Sequence, residues 1–342
     1  MPAVPLIPVL AAFLCFLFGQ AVYAVEPLAP IVIKFSHVVA PNTPKGKAAD
    51  YFKKLAETRS NGRVKVEVYP NSQLYKDREE IEALQLGAVQ MLAPSLSKFG
   101  PLGVRQFELF DLPYIFPNKE TLYQVMDGEI GRRLLELLKE KQIVGLAYWD
   151  NGFKHMSANR PLRQVADFNG LKMRIQPSKV LEAQMKALGA SPQVMAFSEV
   201  RAALEHNVVD GTENPFSNVF TQKMHEVQKH LTVSQHGYLG YVVIVNKPFW
   251  DGLPSDLRTV LEKAMRDATL YERRIAEEEN EAALAAIRQA GTTEVYVLGL
   301  QDRIKWWQAV LPVHQAFESQ IGAELIQSVY RVAKSVEAKK KP

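Results

Sequence analysis

The stretch Gly170–Ser178, GLKMRIQPS, alternates Leu171, Met173 and Ile175 with Lys172, Arg174 and Gln176. That is the period-two pattern of a half-buried strand. Packing asks nothing of an arginine at 174. A guanidinium there could form two parallel hydrogen bonds to a carboxylate, and it stays ionised at any working pH. The pattern alone leaves two readings open: a solvated strand face, or a cation aimed at an anion. Catalytic chemistry has no comparable anchor. The chain has no G-x-G-x-x-G after a strand, no G-x-x-x-x-G-K-[ST], no G-x-S-x-G and no calcium loop. His225 and His230 are five residues apart, which separates them by about 140° around a helix, whereas a zinc site of this kind needs two histidines on one face. The one cysteine, Cys15, lies within the first 24 residues. Disulfides, zinc–thiolate sites and cysteine nucleophiles are therefore not expected downstream. Neither a metal nor a cofactor is expected, and the chain reads as a non-enzyme.

The elements that must position Arg174 follow the rhythm of an open α/β fold. IVIKFSHVV reads as a first strand, KGKAADYFKKLAETRS as a helix closed by Asn61-Gly62, and VKVEVYP as a second strand ended by Pro70. Lys76–Leu86 reads as a helix, Val89–Ala93 as a short buried strand, 119–141 as helical and VGLAYWD as another strand. The rhythm restarts with LKMRIQ, a helix through SKVLEAQMKALGA, the strand PQVMAF and a helix over Ser198–His206. Thr232–Asn246 is strand-like, and Ser255–Ala290 is one long helix with Ser255 as its N-cap and Gly291 as its stop. At 1.5 Å per residue such a helix runs roughly 50 Å, enough to brace two lobes.

Of 342 residues 47% are hydrophobic and 23% charged, the composition of a globular protein with a sizeable core. Basic and acidic groups number 41 and 37, a balance too even for a nucleic-acid binder. Residues 1–24 carry no charge, have a short apolar core at Val9–Gly19 and end in Val22-Tyr23-Ala24, which reads as a secretory signal cleaved after Ala24. The expected location is the periplasm. Export, two lobes and no catalytic motif point to a binding protein that closes on a small ligand.

The segments FSHVVAPNTPKG (35–46), VYPNSQL (68–74), GLKMRIQPS (170–178), MAFSEV (195–200) and VDGTENPFSN (209–218) resemble those of TRAP-type substrate-binding proteins, the extracytoplasmic receptors of tripartite ATP-independent periplasmic transporters. The likeness runs in order from about residue 31 to 325. FSHVV-x-x-x-TPKG with AYW-x-NG-x-K is most similar to the dicarboxylate-binding, DctP-type branch. The resemblance implies a two-lobed periplasmic binding fold of α/β class (type II-like) with crossover strands and a long bracing helix. Lobe I would comprise 25–150 and 239–280, lobe II 151–238 and 281–333, and 334–342 would be a flexible tail. It implies that Arg174 forms the principal salt bridge to a ligand carboxylate and that Asn214, from the ENP motif, donates to it. Sialic-acid-binding relatives carry a second arginine where this chain has Lys154, so a shorter diacid suits Lys154 better. Pro177 departs from the pattern, where a flexible or polar residue is commoner.

Other candidates rest on position. Ser36, His37 and Ser95 end strands, where ligands of open α/β sheets bind. Lys45 opens the first helix and adds positive potential. Trp149, Asn151 and Phe197 offer apolar wall and one further donor. Each could equally be a cap, loop contact or core residue. The implied partners are a small carboxylate such as succinate, malate or fumarate and the small and large membrane permease subunits, with the receptor itself a monomer. Receptors for keto, aromatic or sugar acids, a sensory receptor and a secreted enzyme are the rival readings.

Overall fold

The computed structural model describes residues 29–340. The expected signal segment, 1–24, lies outside the described residues. In chain order the elements are β1 (Ile31–Ser36), α1 (Pro44–Arg59), β2 (Val64–Tyr69), α2 (Glu80–Gln85), β3 (Met91–Leu92), α3 (Lys119–Asp127) and α4 (Glu129–Leu137). They continue with β4 (Ile143–Ala158), β5 (Lys172–Ile175), α5 (Lys179–Ala187), β6 (Ser191–Val194), α6 (Val200–Glu205), β7 (Gly211–Asn214) and α7 (Phe216–Thr221). The last are β8 (His230–Asn246), α8 (Lys247–Gly252), α9 (Ser255–Ala290), β9 (Glu294–Val297), α10 (Leu300–Val310), α11 (Pro312–Ile321) and α12 (Ala323–Lys340).

The nine strands run in the order β2-β1-β3-β8-β4-β7-β5-β6, with β9 beside β8. The strands around β1 and β5 pair in parallel, as βαβ connections require. β4 and β8 are antiparallel and span 16 and 17 residues, roughly 55 Å at 3.4 Å per residue. Each serves both halves of the molecule, so VGLAYWD is only the first half of its strand. β2, β1 and β3 join one end of this pair to make lobe I, and β7, β5, β6 and β9 join the other to make lobe II.

Each lobe buries apolar side chains on both sheet faces. In lobe I, Phe35, Phe52 and Val243 pack with Leu261 and Ala268 of α9, while Leu84, Phe110 and Leu122 fill the other face. In lobe II, Met173, Ile175 and Trp306 form one core and Val200, Val209 and Ile287 the other. The 36-residue α9 supplies buried residues to both lobes and stops at Gly291, whose φ of 65° suits glycine. Its cap is Pro254 rather than Ser255, which is already helical.

Two expectations about the C-terminal region are corrected. The segment 281–333 does not stay with lobe II. Its first part does, through the end of α9, β9 and α10, whereas Phe317 of α11 and Val329 of α12 pack into the lobe I core. The stretch 334–340 is not a loose tail: it continues α12, because Ile326, Val329 and Val336 recur on one helical face and are buried. Lys340 also pairs with Glu120 at 2.9 Å.

Candidate functional site

Between the lobes lies a narrow cavity lined from lobe I by Val38, Val39, Lys45, Asp77, Ser95 and Lys98, and from lobe II by Arg174, Gln176, Phe197, Asn214 and Asn218. Leu239 and Tyr241 of β8 form the hinge-side wall. At about 20 Å³ it has room on the order of one water. Contacts bridge the lobes above it. Asp77 Oδ2 accepts from the Phe197 backbone N–H at 2.7 Å, and Lys76 pairs with Glu199 at 3.2 Å.

Arg174 is held by β5, an interior strand paired with both β6 and β7. The side chain is 2% exposed, which excludes the solvated-edge reading of the alternating pattern. Its Nε and Nη2 donate to the Met195 carbonyl at 3.1 and 2.8 Å, and the guanidinium lies 5.9 Å from the Phe197 ring centroid. One edge of the guanidinium is thereby anchored, and donors remain on its other edge. No carboxylate forms an ion pair with it among the described residues. Burial lowers its pKa, opposed by Asp77 and Glu213 nearby, each of which is itself engaged by a lysine.

Lys45 faces it from lobe I. Thr43 caps α1 by accepting from Gly46 N at 3.1 Å, and Pro44 opens the helix. A Cβ at Gly46 would fall 2.5 Å from the Pro41 carbonyl oxygen, so only glycine lets this loop fold over the helix start. The TPKG segment thus turns the lysine inward. Its ammonium donates to the Ala93 carbonyl at 2.9 Å and sits 3.7 Å above the Tyr241 ring centroid. Burial brings its pKa down to about 7, with Glu80 opposing the shift.

Lys98 is also buried in the wall but is paired with Asp77 at 2.6 Å and with Glu80. Burial pushes Asp77 up, yet Lys98, the Phe197 N–H and Arg174 outweigh it and hold the carboxyl down at about 2. Burial raises Glu80. Asn214 and Asn218 are linked at 3.3 Å. Ser95 Oγ and Asn218 Oδ1 are buried without hydrogen-bond partners, polar atoms that a polar ligand could satisfy.

Of the residues singled out from sequence, Arg174, Asn214, Lys45, Ser95 and Phe197 converge on this cavity. Ser36 and His37 lie fully buried one step behind Val38, with both His37 ring nitrogens unpartnered. Burial, reinforced by the Lys45 charge, lowers the His37 pKa to about 3, so the ring is neutral. Trp149 is core, its ring tilted 35° against Phe35 at 6.0 Å and its Nε1 donating to Thr269 at 3.0 Å. Asn151 acts through Tyr241: its Nδ2 donates to the tyrosine oxygen at 2.6 Å and its Oδ1 accepts from Ser217 at 2.8 Å.

Lys154 is placed elsewhere. It pairs with Glu213 at 2.7 Å inside a closed cluster, where Gln184 and His236 hold the other Glu213 oxygen at 3.0 and 2.8 Å. Although burial pushes Glu213 up, Lys154 and His236 pull it well below the usual carboxylate range. Glu213 therefore neutralises Lys154, and the lysine does not line the cavity. Sequence reasoning missed Asp77, Lys98, Gln176, Asn218 and Tyr241. Asn218 had a signal, lying four residues beyond Asn214 in ENPFSN, one helical turn on. Lys98 had none.

The model of the bacterial extracellular solute-binding protein family 7, DctP, matches residues 35–320. The C4-dicarboxylate-binding periplasmic protein DctP of Rhodobacter capsulatus is 68% identical over 300 residues, 88% of this chain and 90% of that protein. A TRAP periplasmic solute-binding protein of Sulfurospirillum deleyianum solved with succinate is 48% identical, with a TM-score of 0.87 over 89% of this chain and 100% of that one. One from Pseudomonas aeruginosa solved with L-malate is 44% identical, with a TM-score of 0.82 over 84% and 100%. With the two-lobed fold and a cation-walled interlobe cavity already in place, these matches make the chain a member of the DctP family of bacterial extracellular solute-binding proteins.

Proposed function

We propose that this protein is an extracytoplasmic receptor that binds a four-carbon dicarboxylate between its lobes and delivers it to a membrane permease of small and large subunits. The observation that carries this reading is Arg174, a buried guanidinium at the cavity wall with one edge anchored and no carboxylate partner among the described residues. Lys45, buried on the opposing lobe and likewise without an acid in ion-pair contact among the described residues, receives the second carboxylate. Asn214, Asn218 and Ser95 supply hydrogen bonds. Relatives named for C4-dicarboxylates, or holding succinate and malate, support the choice of acid.

A four-carbon diacid is larger than the present cavity, so it enters after the lobes part and is gripped as they close, the hinge motion of two-lobed receptors. Closure removes water from both ion pairs, and their geometry must offset the desolvation cost. The receptor needs no catalytic step for this task, and residues 1–24 direct it to the periplasm. Thermal unfolding of residues 25–342, refolded free of carried-over acids, tests the assignment. With a micromolar Kd, a millimolar diacid stabilises by about 4 kcal/mol. A shift with succinate, malate or fumarate and none with monoacid analogues is expected. Stabilisation by sugar or aromatic acids alone would discard the dicarboxylate.

A further inference from the structure

The two lobes carry matching sheets that end differently. Lobe I reads β2-β1-β3-β8-β4, and lobe II reads β6-β5-β7-β4-β8 with β9 as an extra strand on its edge. In lobe I the equivalent edge is the first half of β4. β7 pairs with β4 only from His155 to Ala158, so no strand lies beside Ile143–Tyr148 on that side. Towards the hinge, α9 closes this edge: Glu272 accepts from Asp150 N at 2.8 Å, and Arg273 reaches the Tyr148 carbonyl at 3.5 Å. Between Val144 and Ala147 no side chain does so among the described residues.

A groove of about 1060 Å³ overlies that open stretch. Its floor is Val144, Leu146 and Ala147, and its walls include Leu135 of α4 and Leu270 of α9, the last 70% exposed. The charges on the rim are unbalanced. Arg273, Lys247 and Lys139 are paired with Asp127, Asp251 and Glu136. Arg132, Arg258 and Arg266 make no ion pair among the described residues, against Glu262 alone. β9 shows what such an edge accepts in this molecule. Its sequence EVYV is extended, is half-buried at Val295 and Tyr296 with both ends exposed, and begins with an acid, Glu294, which pairs with Arg163 at 3.1 Å.

We propose that the lobe I groove docks an extended, acidic segment of a partner protein, which adds to β4 as a sixth strand. Main-chain hydrogen bonds to the edge supply affinity, alternate apolar side chains settle on Leu135 and Leu270, and carboxylates meet Arg132 and Arg266.

The probe is a labelled synthetic peptide, TTEVYVLG, copied from residues 292–299, titrated into the receptor. Saturable binding is expected, with NMR amide shifts centred on Val144–Ala147. Changing its glutamate to lysine, or combining Arg132→Glu with Arg266→Glu in the receptor, should each weaken binding at least tenfold. N-methylating alternate peptide amides should abolish it. Retained dicarboxylate affinity in the double variant shows that the receptor remains folded. The proposal is overturned by absence of binding, by shifts at β8 instead of β4, or by indifference to charge reversal or N-methylation. It is equally overturned if the groove is filled by a second copy, seen as a concentration-dependent dimer that the peptide dissolves.

Discussion

Among the described residues four lysines and arginines are buried, and they fall into two pairs. Lys98 and Lys154 each face a carboxylate inside the protein, while Arg174 and Lys45 do not. The first pair is spent on structure, since breaking a buried ion pair strands a charge away from water. Among the described residues the second pair is anchored by carbonyls and two aromatic rings, and so keeps its charge available to an incoming anion. The comparison teaches that burial of a cation identifies nothing by itself. What matters is whether the fold has already supplied its counterion.

The sharpest way to break this contrast is Arg174→Ala. It strands a ligand carboxylate in the closed cleft, a loss of about 3–5 kcal/mol. Titration calorimetry should then show affinity for succinate or malate falling roughly a hundredfold or more. Arg174→Lys should fail substantially as well, because a point charge cannot reproduce the anchored fork. Near-normal affinity in either variant means another group holds the carboxylate.

Glu213→Gln should act on stability instead. Removing the partner of Lys154 costs about 3–5 kcal/mol, read as a lowered urea midpoint, and Lys154→Met in the same chain should recover most of it. Diacid affinity in that double variant should change less than Arg174→Ala changes it. If it falls as far, Lys154 reaches the ligand after all.

The Lys45 pKa of about 7 gives a pH signature. Below that value the ammonium is already charged and the diacid binds without proton uptake. Above it, binding must draw a proton onto Lys45, so affinity falls with rising pH by up to roughly tenfold per unit. A Kd series from pH 6 to 9 should show this loss, and Lys45→Met should bind more weakly but with a flat profile across the same range. A flat wild-type profile would remove Lys45 from the site.

The smallest effect is expected at Asp77, whose carboxylate joins the lobes through the Phe197 N–H. Hydrogen bonds to charged groups contribute about 1.5–3 kcal/mol, and Lys98 still keeps Glu80 as a counterion when Asp77 is removed. Asp77→Ala should weaken diacid binding by roughly tenfold or less and shift the ligand-free scattering profile towards a more open particle. An unchanged profile would show that the contact plays no part in closure.

Much of the architecture was legible in advance because periodicity is local. The alternation in LKMRIQ, the helical spacing of α1 and α9 and the stop at Gly291 all follow from backbone geometry and from which face each side chain takes. The end of the chain was less legible. A run as charged as EAKKKP hides Val336, whose burial depends on the lobe I surface it meets.

By itself the sequence determined the α/β elements, the long bracing helix and the residue types that could hold an anion, since propensity, capping and motif resemblance all act within short segments. Only the tertiary structure decided which cations keep their charge for a ligand. Glu213 and Lys154 are 59 residues apart, and Glu80 and Lys98 are 18 apart on different elements. Whether such groups meet is a property of the folded sheet, because Coulomb interactions depend on distance through space and on burial, neither of which is written in the order of residues.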